Sequence, residues 1–144
     1  MFYIDDTSVE KVKTRKYSVL PLDADISLVI KCFIKNDIED LYVLNNKDKK
    51  LVGVIHRDKV FKQIKKLGLD VSGYNIIAVD IMDTHFKYIG QNTDIYDCIK
   101  IMKQSLLTSI PIVKDGIIKG VVWYSDILRY LLEQCRNESK VFDK

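Results

Sequence analysis

The chain has 144 residues, a length that fits one compact domain or two closely fused halves. Hydrophobic residues make up 47% and charged residues 30% of it, a globular balance that argues against disorder. A formal net charge of +3 is too small to indicate nucleic-acid binding by itself. No apolar run approaches the roughly 20 residues that span a bilayer. We therefore expect a soluble, cytoplasmic protein whose three cysteines are reduced.

The first half opens with a short predicted strand at residues 18–20, followed by an amphipathic helix. Apolar residues recur there at i, i+3, i+4 and i+7, directly after Asp25, which can cap the start of the helix. Two apolar strands at residues 41–44 and 51–55 come next, joined by a polar turn, and a second helix follows. The apolar face of the two predicted helices consists of Ile26, Val29, Ile30, Phe33, Val60, Phe61 and Ile64.

The second half repeats this pattern at an offset of 69 residues, which falls to 67 after a shorter turn. A short strand at residues 88–89 precedes a helix that begins after Asp94, and strands follow at residues 110–113 and 118–122. The pair Asp-Gly at 115–116 predicts a tight hairpin turn between those strands. The matching apolar helix positions are Ile95, Cys98, Ile99, Met102, Ile127, Leu128 and Leu131.

Each half therefore predicts a β-α-β-β-α unit, and one such unit would leave a sheet face uncovered unless it packs against the other. The sequence predicts an α/β (α+β) fold of two pseudo-twofold-related units, each with a small three-stranded sheet and two helices. We expect the units at residues 8–67 and 76–134, a linker at 68–75, and a polar tail at 135–144.

Four segments carry a resemblance to a known family. They are V-D-I-M at 79–82, S-I-P-I-V at 109–113, G-V-V-W-Y-S-D-I-L at 120–128 and, less closely, L-V-G-V-I-H-R-D-K-V at 51–60. With this set of segments, the chain resembles a tandem pair of CBS (cystathionine-β-synthase) motifs, known as a Bateman module, over about residues 8–134. The segment at 120–128 is similar to the family signature G-h-h-[ST]-x-x-D-h, in which h is apolar.

This resemblance implies a regulatory or sensor module that binds AMP, ADP, ATP or S-adenosylmethionine in clefts between the two motifs. It implies no further cofactor, no metal and no catalytic residue. An apolar slot for adenine is expected from Ile110, Pro111 and Val122, and Asp126 is expected to accept hydrogen bonds from the ribose diol. Backbone amides at the helix start and a basic side chain would hold phosphates.

Each residue of the second motif also has a structural interpretation. Asp126 can simply be an N-terminal helix residue that the helix dipole favours, rather than a ribose-binding residue. Ser125 can cap the helix rather than bind phosphate. Trp123 occupies the position where the family has Ser or Thr, so it can stack on a base or merely fill the edge of a cleft. Because indole replaces the hydroxyl, the usual phosphate contact is lost.

The first motif departs further from the family pattern. Lys59 aligns with Asp126, and His56 occupies the Ser/Thr position, where an ordinary strand-end role is the alternative to a ligand contact. Arg57 and Lys59 can instead lend positive charge to the phosphates of a nucleotide held by Asp126, or simply form a solvated cationic edge.

Catalysis is not expected, because the chain lacks a P-loop, a G-x-S-x-G, a G-x-G-x-x-G and a zinc-ligand pattern. A homodimer is expected from surplus apolar helix residues, and a larger regulated protein is a possible partner. Neither membrane nor nucleic-acid binding is expected. Two alternatives remain: an interaction module with degenerate, empty clefts, or a weak nucleic-acid-binding regulator that uses a lysine face. The surplus apolar residues are Ile34, Ile101, Leu106 and Leu132, and the lysine face is Lys59, Lys62, Lys65 and Lys66.

Overall fold

A computed structural model describes residues 8–14, 16–67 and 76–142. The predicted linker at 68–75 lies outside the described residues. Two short 3-10 helices are present at Val9–Lys11 and Arg57–Lys59. The remaining elements are β1 (Val19–Pro21), α1 (Ile26–Asn36), β2 (Asp40–Leu44), β3 (Leu51–His56), α2 (Val60–Leu67), α3 (Ala78–Ile81), α4 (Ile95–Gln104), β4 (Ser109–Lys114), β5 (Ile117–Trp123) and α5 (Tyr124–Phe142).

These elements form two compact units. The first unit contains the described residues between 17 and 86, and the second unit combines residues 8–14 and 16 with 87–142. The predicted mixed α/β class, with helices beside a three-stranded sheet, is confirmed. The N-terminal residues 8–14 are thus packed with the second unit rather than with the strands that follow them in sequence. The boundaries predicted for the two motifs stay a prediction.

The first unit is built on the sheet β1-β2-β3, in which β1 runs parallel and β3 antiparallel to β2. Helix α1 begins because the Asp25 carboxylate accepts the backbone N–H of Leu28 at 2.9 Å, as predicted. It ends at Asp37, whose φ of 47° is left-handed. Phe61, predicted on the buried face of the second helix, is instead 77% exposed. The core includes the other predicted helix positions, of which Ile30 is only half-buried, and residues of all three strands. Its buried residues are Leu20, Ala24, Ile26, Val29, Phe33, Leu41, Val43, Ile55, Val60, Ile64, Ile76, Ala78 and Ile81.

The second unit is built on the antiparallel hairpin β4-β5, closed by Asp115 and Gly116. Both turn residues have positive φ, 53° and 82°, which confirms the predicted tight turn. The opening strand predicted at 88–89 is reduced to one parallel bridge between Ile89 and Ile112. The core contains Val9, Val12, Ile89, Ile95, Cys98, Met102, Ile110, Ile112, Val122 and Ile127.

Candidate functional site

Asp126 lies where strand β5 passes into helix α5. Its Oδ2 accepts the backbone N–H of Trp123 at 3.3 Å, and its Oδ1 accepts Nη1–H of Arg129 at 3.1 Å. The first contact reaches back to the residue before the helix and so satisfies an amide that the helix itself leaves unpaired. The carboxylate side chain is 20% exposed, so it is held in place while remaining accessible.

The N-terminal segment, residues 8–14, lies along the same strand. Thr14 and Val121 exchange two backbone hydrogen bonds, of 2.7 and 3.0 Å, and Val9 donates its N–H to Thr93 O at 2.9 Å. Gly120 permits this approach, because a Cβ there would lie 2.9 Å from Lys13 Cδ and 3.3 Å from Thr14 O. The glycine of the signature segment therefore has a packing function: it brings the N-terminal segment next to Asp126.

A cavity of about 300 Å³ lies within the second unit, between the N-terminal segment and α5. This volume is at the lower end of the range for small-molecule sites. Two carboxylates and three cationic side chains lie around it, together with a hydroxyl and an aromatic ring. The lining residues are Lys11, Val12, Lys13, Thr14, Asp126, Arg129, Tyr130 and Glu133.

The three cations differ in how firmly they are held. Lys13 Nζ is 2.6 Å from Glu10 Oε2, and only 11% of the Lys13 side chain is exposed. Arg129 contacts Asp126, but 67% of its side chain is exposed, and Lys11 is also exposed. Exposed arginine side chains reorient at little cost in free energy. The cavity thus combines one fixed cation with two that can move towards a ligand.

The other predicted residues of the second motif lie in β4, in β5 and at the start of α5, and none of them is among the residues that line the cavity. Ser125 is exposed in the first turn of α5, and Trp123 is half-buried at the end of β5. Ile110 and Val122 are cross-strand partners within the core, and Pro111 is buried beside them in β4. Their predicted role as an adenine slot stays a prediction.

The predicted residues of the first motif lie together at the end of β3 in the first unit. His56 Nδ1 is 2.7 Å from Asp40 Oδ1, and its Nε2 is 4.0 Å from Asp83 Oδ2. Arg57 pairs with the carboxylates of Asp37 and Glu39, whereas Lys59 is exposed. All three predicted side chains are therefore in one region, and two of them are already paired with carboxylates of their own unit.

Two features of these sites were missed at the sequence level. Asp40 is opposite His56 in the β2-β3 register, so continuing the predicted hairpin by one pair would have identified it. The N-terminal segment as a cavity wall was also missed. Its signal was a weak extension of the repeat at the 69-residue offset, in which Val9 and Val12 correspond to Ala78 and Ile81.

A second cavity, of about 270 Å³, is an apolar groove between α1 and α2 of the first unit. Ile34 and Phe61 on its walls are each 77% exposed, which is unusual for large apolar side chains. The groove is lined by Ile30, Phe33, Ile34, Asp37, Arg57, Val60 and Phe61. Elsewhere, two of the predicted interface residues, Leu106 and Leu132, are 90% and 51% exposed.

Two other kinds of site are absent from the described residues, 8–14, 16–67 and 76–142. Among these residues no helix combines the length and the apolar character that crossing a membrane requires. Within the same ranges, no group of three or more His, Cys, Asp and Glu side chains is placed to hold a metal ion.

The chain matches a family model and is similar in fold to solved structures. The family model described as CBS domain matches the chain twice, at residues 9–66 and 77–133. No curated protein matches the chain.

An uncharacterised conserved protein from Pyrococcus horikoshii is 21% identical, with a TM-score of 0.74 over 88% of this chain and 92% of that one. A CBS-domain-containing protein from Thermotoga maritima is 23% identical, with a TM-score of 0.73 over 89% and 96%. CBSX2, solved in complex with AMP, is 18% identical, with a TM-score of 0.77 over 88% and 97%. At these identities the structures show a shared fold.

Proposed function

Because the chain belongs to the CBS domain family, we propose that it is a regulatory module that senses an adenosine-containing ligand, bound in the cavity beside Asp126. AMP, ADP, ATP and S-adenosylmethionine are the candidate ligands. The observation that carries the proposal is a positioned, accessible carboxylate on a small polar cavity, at the signature position of the second motif.

The ribose is the part of the ligand that Asp126 suits best. A carboxylate accepts two hydrogen bonds from a cis-diol, and such charge-assisted bonds contribute about 1.5–3 kcal/mol each. The Trp123 amide holds Oδ2 in place, which leaves Oδ1 as the oxygen that a hydroxyl would reach after Arg129 moves. The proposal therefore places the ribose at the start of α5.

The rest of the cavity suits the remaining parts of a nucleotide. Tyr130 supplies an aromatic ring at the wall, against which a base can pack. Lys11 and Arg129 supply exposed positive charge for phosphates. The AMP complex of CBSX2, a protein of the same fold, supports an adenine nucleotide as the first ligand to test.

A thermal-shift screen with AMP, ADP, ATP and S-adenosylmethionine tests the proposal. A ligand present at 100 times its Kd stabilises the folded chain by about 2.7 kcal/mol, which raises Tm by several degrees. GMP serves as the control for base recognition and ribose 5-phosphate for the base-free ligand. If none of the four adenosine compounds raises Tm, the sensing proposal fails, and an interaction module with empty clefts or a nucleic-acid-binding regulator remains.

We further propose that the groove between α1 and α2 is a homodimer interface, because Ile34 and Phe61 leave a large apolar area in water. Phe61→Asp would place a carboxylate in that contact and separate the subunits. Lys62→Asp, on the neighbouring exposed position, is the matched control. Light scattering that gives one chain of 16.7 kDa for the unchanged protein at high micromolar concentration would contradict the dimer.

A further inference from the structure

Among the described residues that line the cavity, Arg129 is the cation bonded to Asp126, the residue proposed to bind the ribose. Its Nη1 lies 3.1 Å from Asp126 Oδ1, and the two residues are one turn apart on α5. Arg129 is mostly exposed, while the carboxylate is mostly covered. An ion pair with one exposed partner contributes little to stability, so the guanidinium can leave without disturbing the helix.

We propose that Arg129 selects for phosphorylated ligands by exchanging its carboxylate partner for a phosphate when a nucleotide binds. The inference rests on the proposed function, because it assumes that the ribose diol takes Asp126. A nucleoside without phosphate must break the Arg129–Asp126 pair and gives the guanidinium nothing in return. A nucleotide breaks the same pair and supplies a doubly charged anion that accepts two parallel hydrogen bonds.

Two other residues at this site, Lys13 and Trp123, are poorly suited to bind a phosphate, so binding it requires the exposed cations. Lys13 is already paired with Glu10 and mostly covered, so its ammonium is not available to a ligand at the same cost as an exposed one. Trp123 holds the position where the signature has a hydroxyl, and indole N–H is only a single donor. Phosphate recognition therefore depends on the two exposed cations, Lys11 and Arg129, of which only Arg129 is displaced by the diol.

Glu133 is the competing partner. It is four residues after Arg129 on α5 and lines the same cavity, so the displaced guanidinium can turn to this carboxylate instead of a phosphate. An exposed carboxylate carries one charge and a phosphate about two, which favours the phosphate. Removing the Glu133 carboxylate should therefore sharpen the preference for AMP over adenosine, in the direction opposite to removal of Arg129.

Calorimetry with adenosine and AMP at low salt tests the exchange through the ratio of the two dissociation constants. For the unchanged protein we expect AMP to bind at least about tenfold more tightly than adenosine. Arg129→Gln should weaken AMP binding about tenfold and leave adenosine binding equal or slightly tighter, so the ratio approaches one. Glu133→Gln should raise the ratio, and Lys119→Gln, which removes an exposed cation from β5 of the same unit, should leave it unchanged.

The result separates the two proposals. If the unchanged protein binds AMP and Asp126→Asn abolishes binding, while Arg129→Gln keeps the original ratio, the exchange is wrong and the binding site stands. If neither adenosine nor AMP binds the unchanged protein, the proposed function fails and the exchange fails with it. Because Arg129 is exposed, the variant is expected to fold, which its circular dichroism spectrum checks.

Discussion

In both units the second strand of the hairpin leads directly into a helix, and we call this junction the corner. The two corners have the same backbone pairing but differ in which side chains are charged. In the second unit, Ser109 pairs with Trp123 at the end of the hairpin, and an accessible carboxylate follows in the next helical turn. In the first unit, Asp40 pairs with His56 at the equivalent positions, and Lys59 stands where the carboxylate would be. The first corner therefore has a buried carboxylate, Asp40, whereas the second has one that faces a cavity.

The segments that pack on these corners differ in the same sense. Thr14 bridges Val121 in the second unit, and Asp83 bridges Val54 in the first, through the same pair of backbone hydrogen bonds. Asp83 also brings a second carboxylate to within 4.0 Å of His56. One repeat thus uses this corner for internal polar contacts, while the other leaves its carboxylate accessible.

The largest effect is expected at the buried corner. His56→Leu removes the ring that contacts Asp40, a residue only 2% exposed, and should destabilise the fold by about 3 kcal/mol, because the buried carboxylate loses its hydrogen bond to the imidazole. The double change Asp40→Ser with His56→Trp installs the residue pair of the second unit and should recover part of that loss. Urea unfolding measures both, and a loss under about 0.5 kcal/mol in His56→Leu would refute the pairing.

A smaller effect is expected at the two equivalent glycines. A Cβ at Gly53 would collide with three atoms of the Met82 side chain, so Gly53→Ala should cost about 1–3 kcal/mol. At Gly120 the nearest atom, Cδ of Lys13, is 2.9 Å away rather than 2.4 Å, so Gly120→Ala should cost less but displace the N-terminal segment from β5. Urea unfolding ranks the two, and Gly90→Ala, which meets nothing within 4 Å, is the control. Equal costs at Gly53 and Gly90 would contradict the packing argument.

A still smaller effect on stability is expected where the buried faces of α1 and α4 differ. Cys98 corresponds to Val29 of the first unit, and burial raises the pKa of its thiol from 9.0 to about 12. Because the folded pKa is the higher one, its contribution to stability is full below pH 9 and is lost as pH rises towards 12. At pH 10 the loss is about 1 kcal/mol.

Cys98→Val, which copies the first unit, should remove that part of the alkaline loss. The measurement is the difference in unfolding free energy between the two proteins at pH 8 and at pH 10, under reducing conditions. A difference that does not change between the two pH values would show that the thiol titrates normally in the folded chain.

The sequence predicted what depends on periodicity and local chemistry. The stripes at Ile26 and Ile95, the Asp25 cap and the 115–116 turn follow from spacing within one element, and the structure has them. The Asp40–His56 contact depends on strand register across 16 positions, which alternating hydrophobicity sets only approximately.

The placement of the N-terminal segment was harder still to predict. Residues 8–14 pack on β5, more than 100 positions away, through backbone hydrogen bonds that carry no residue preference of their own. Gly120 leaves the space for that contact, and only the structure reveals which segment occupies it. Of the residues that line the cavity beside Asp126, the sequence therefore identified only Asp126 itself.

We propose that the second unit binds the ligand through Asp126 and that the first unit does not. Titration calorimetry with AMP on the unchanged protein, Asp126→Asn and Asp97→Asn tests it most directly. Asp97 lies in the first turn of α4 of the same unit and is exposed, so its change controls for the loss of one helix-start carboxylate. We predict about one site per chain, weakened roughly ten- to a hundredfold by Asp126→Asn and unchanged by Asp97→Asn. Two equal sites per chain, or an affinity that Asp126→Asn leaves intact, would contradict the claim.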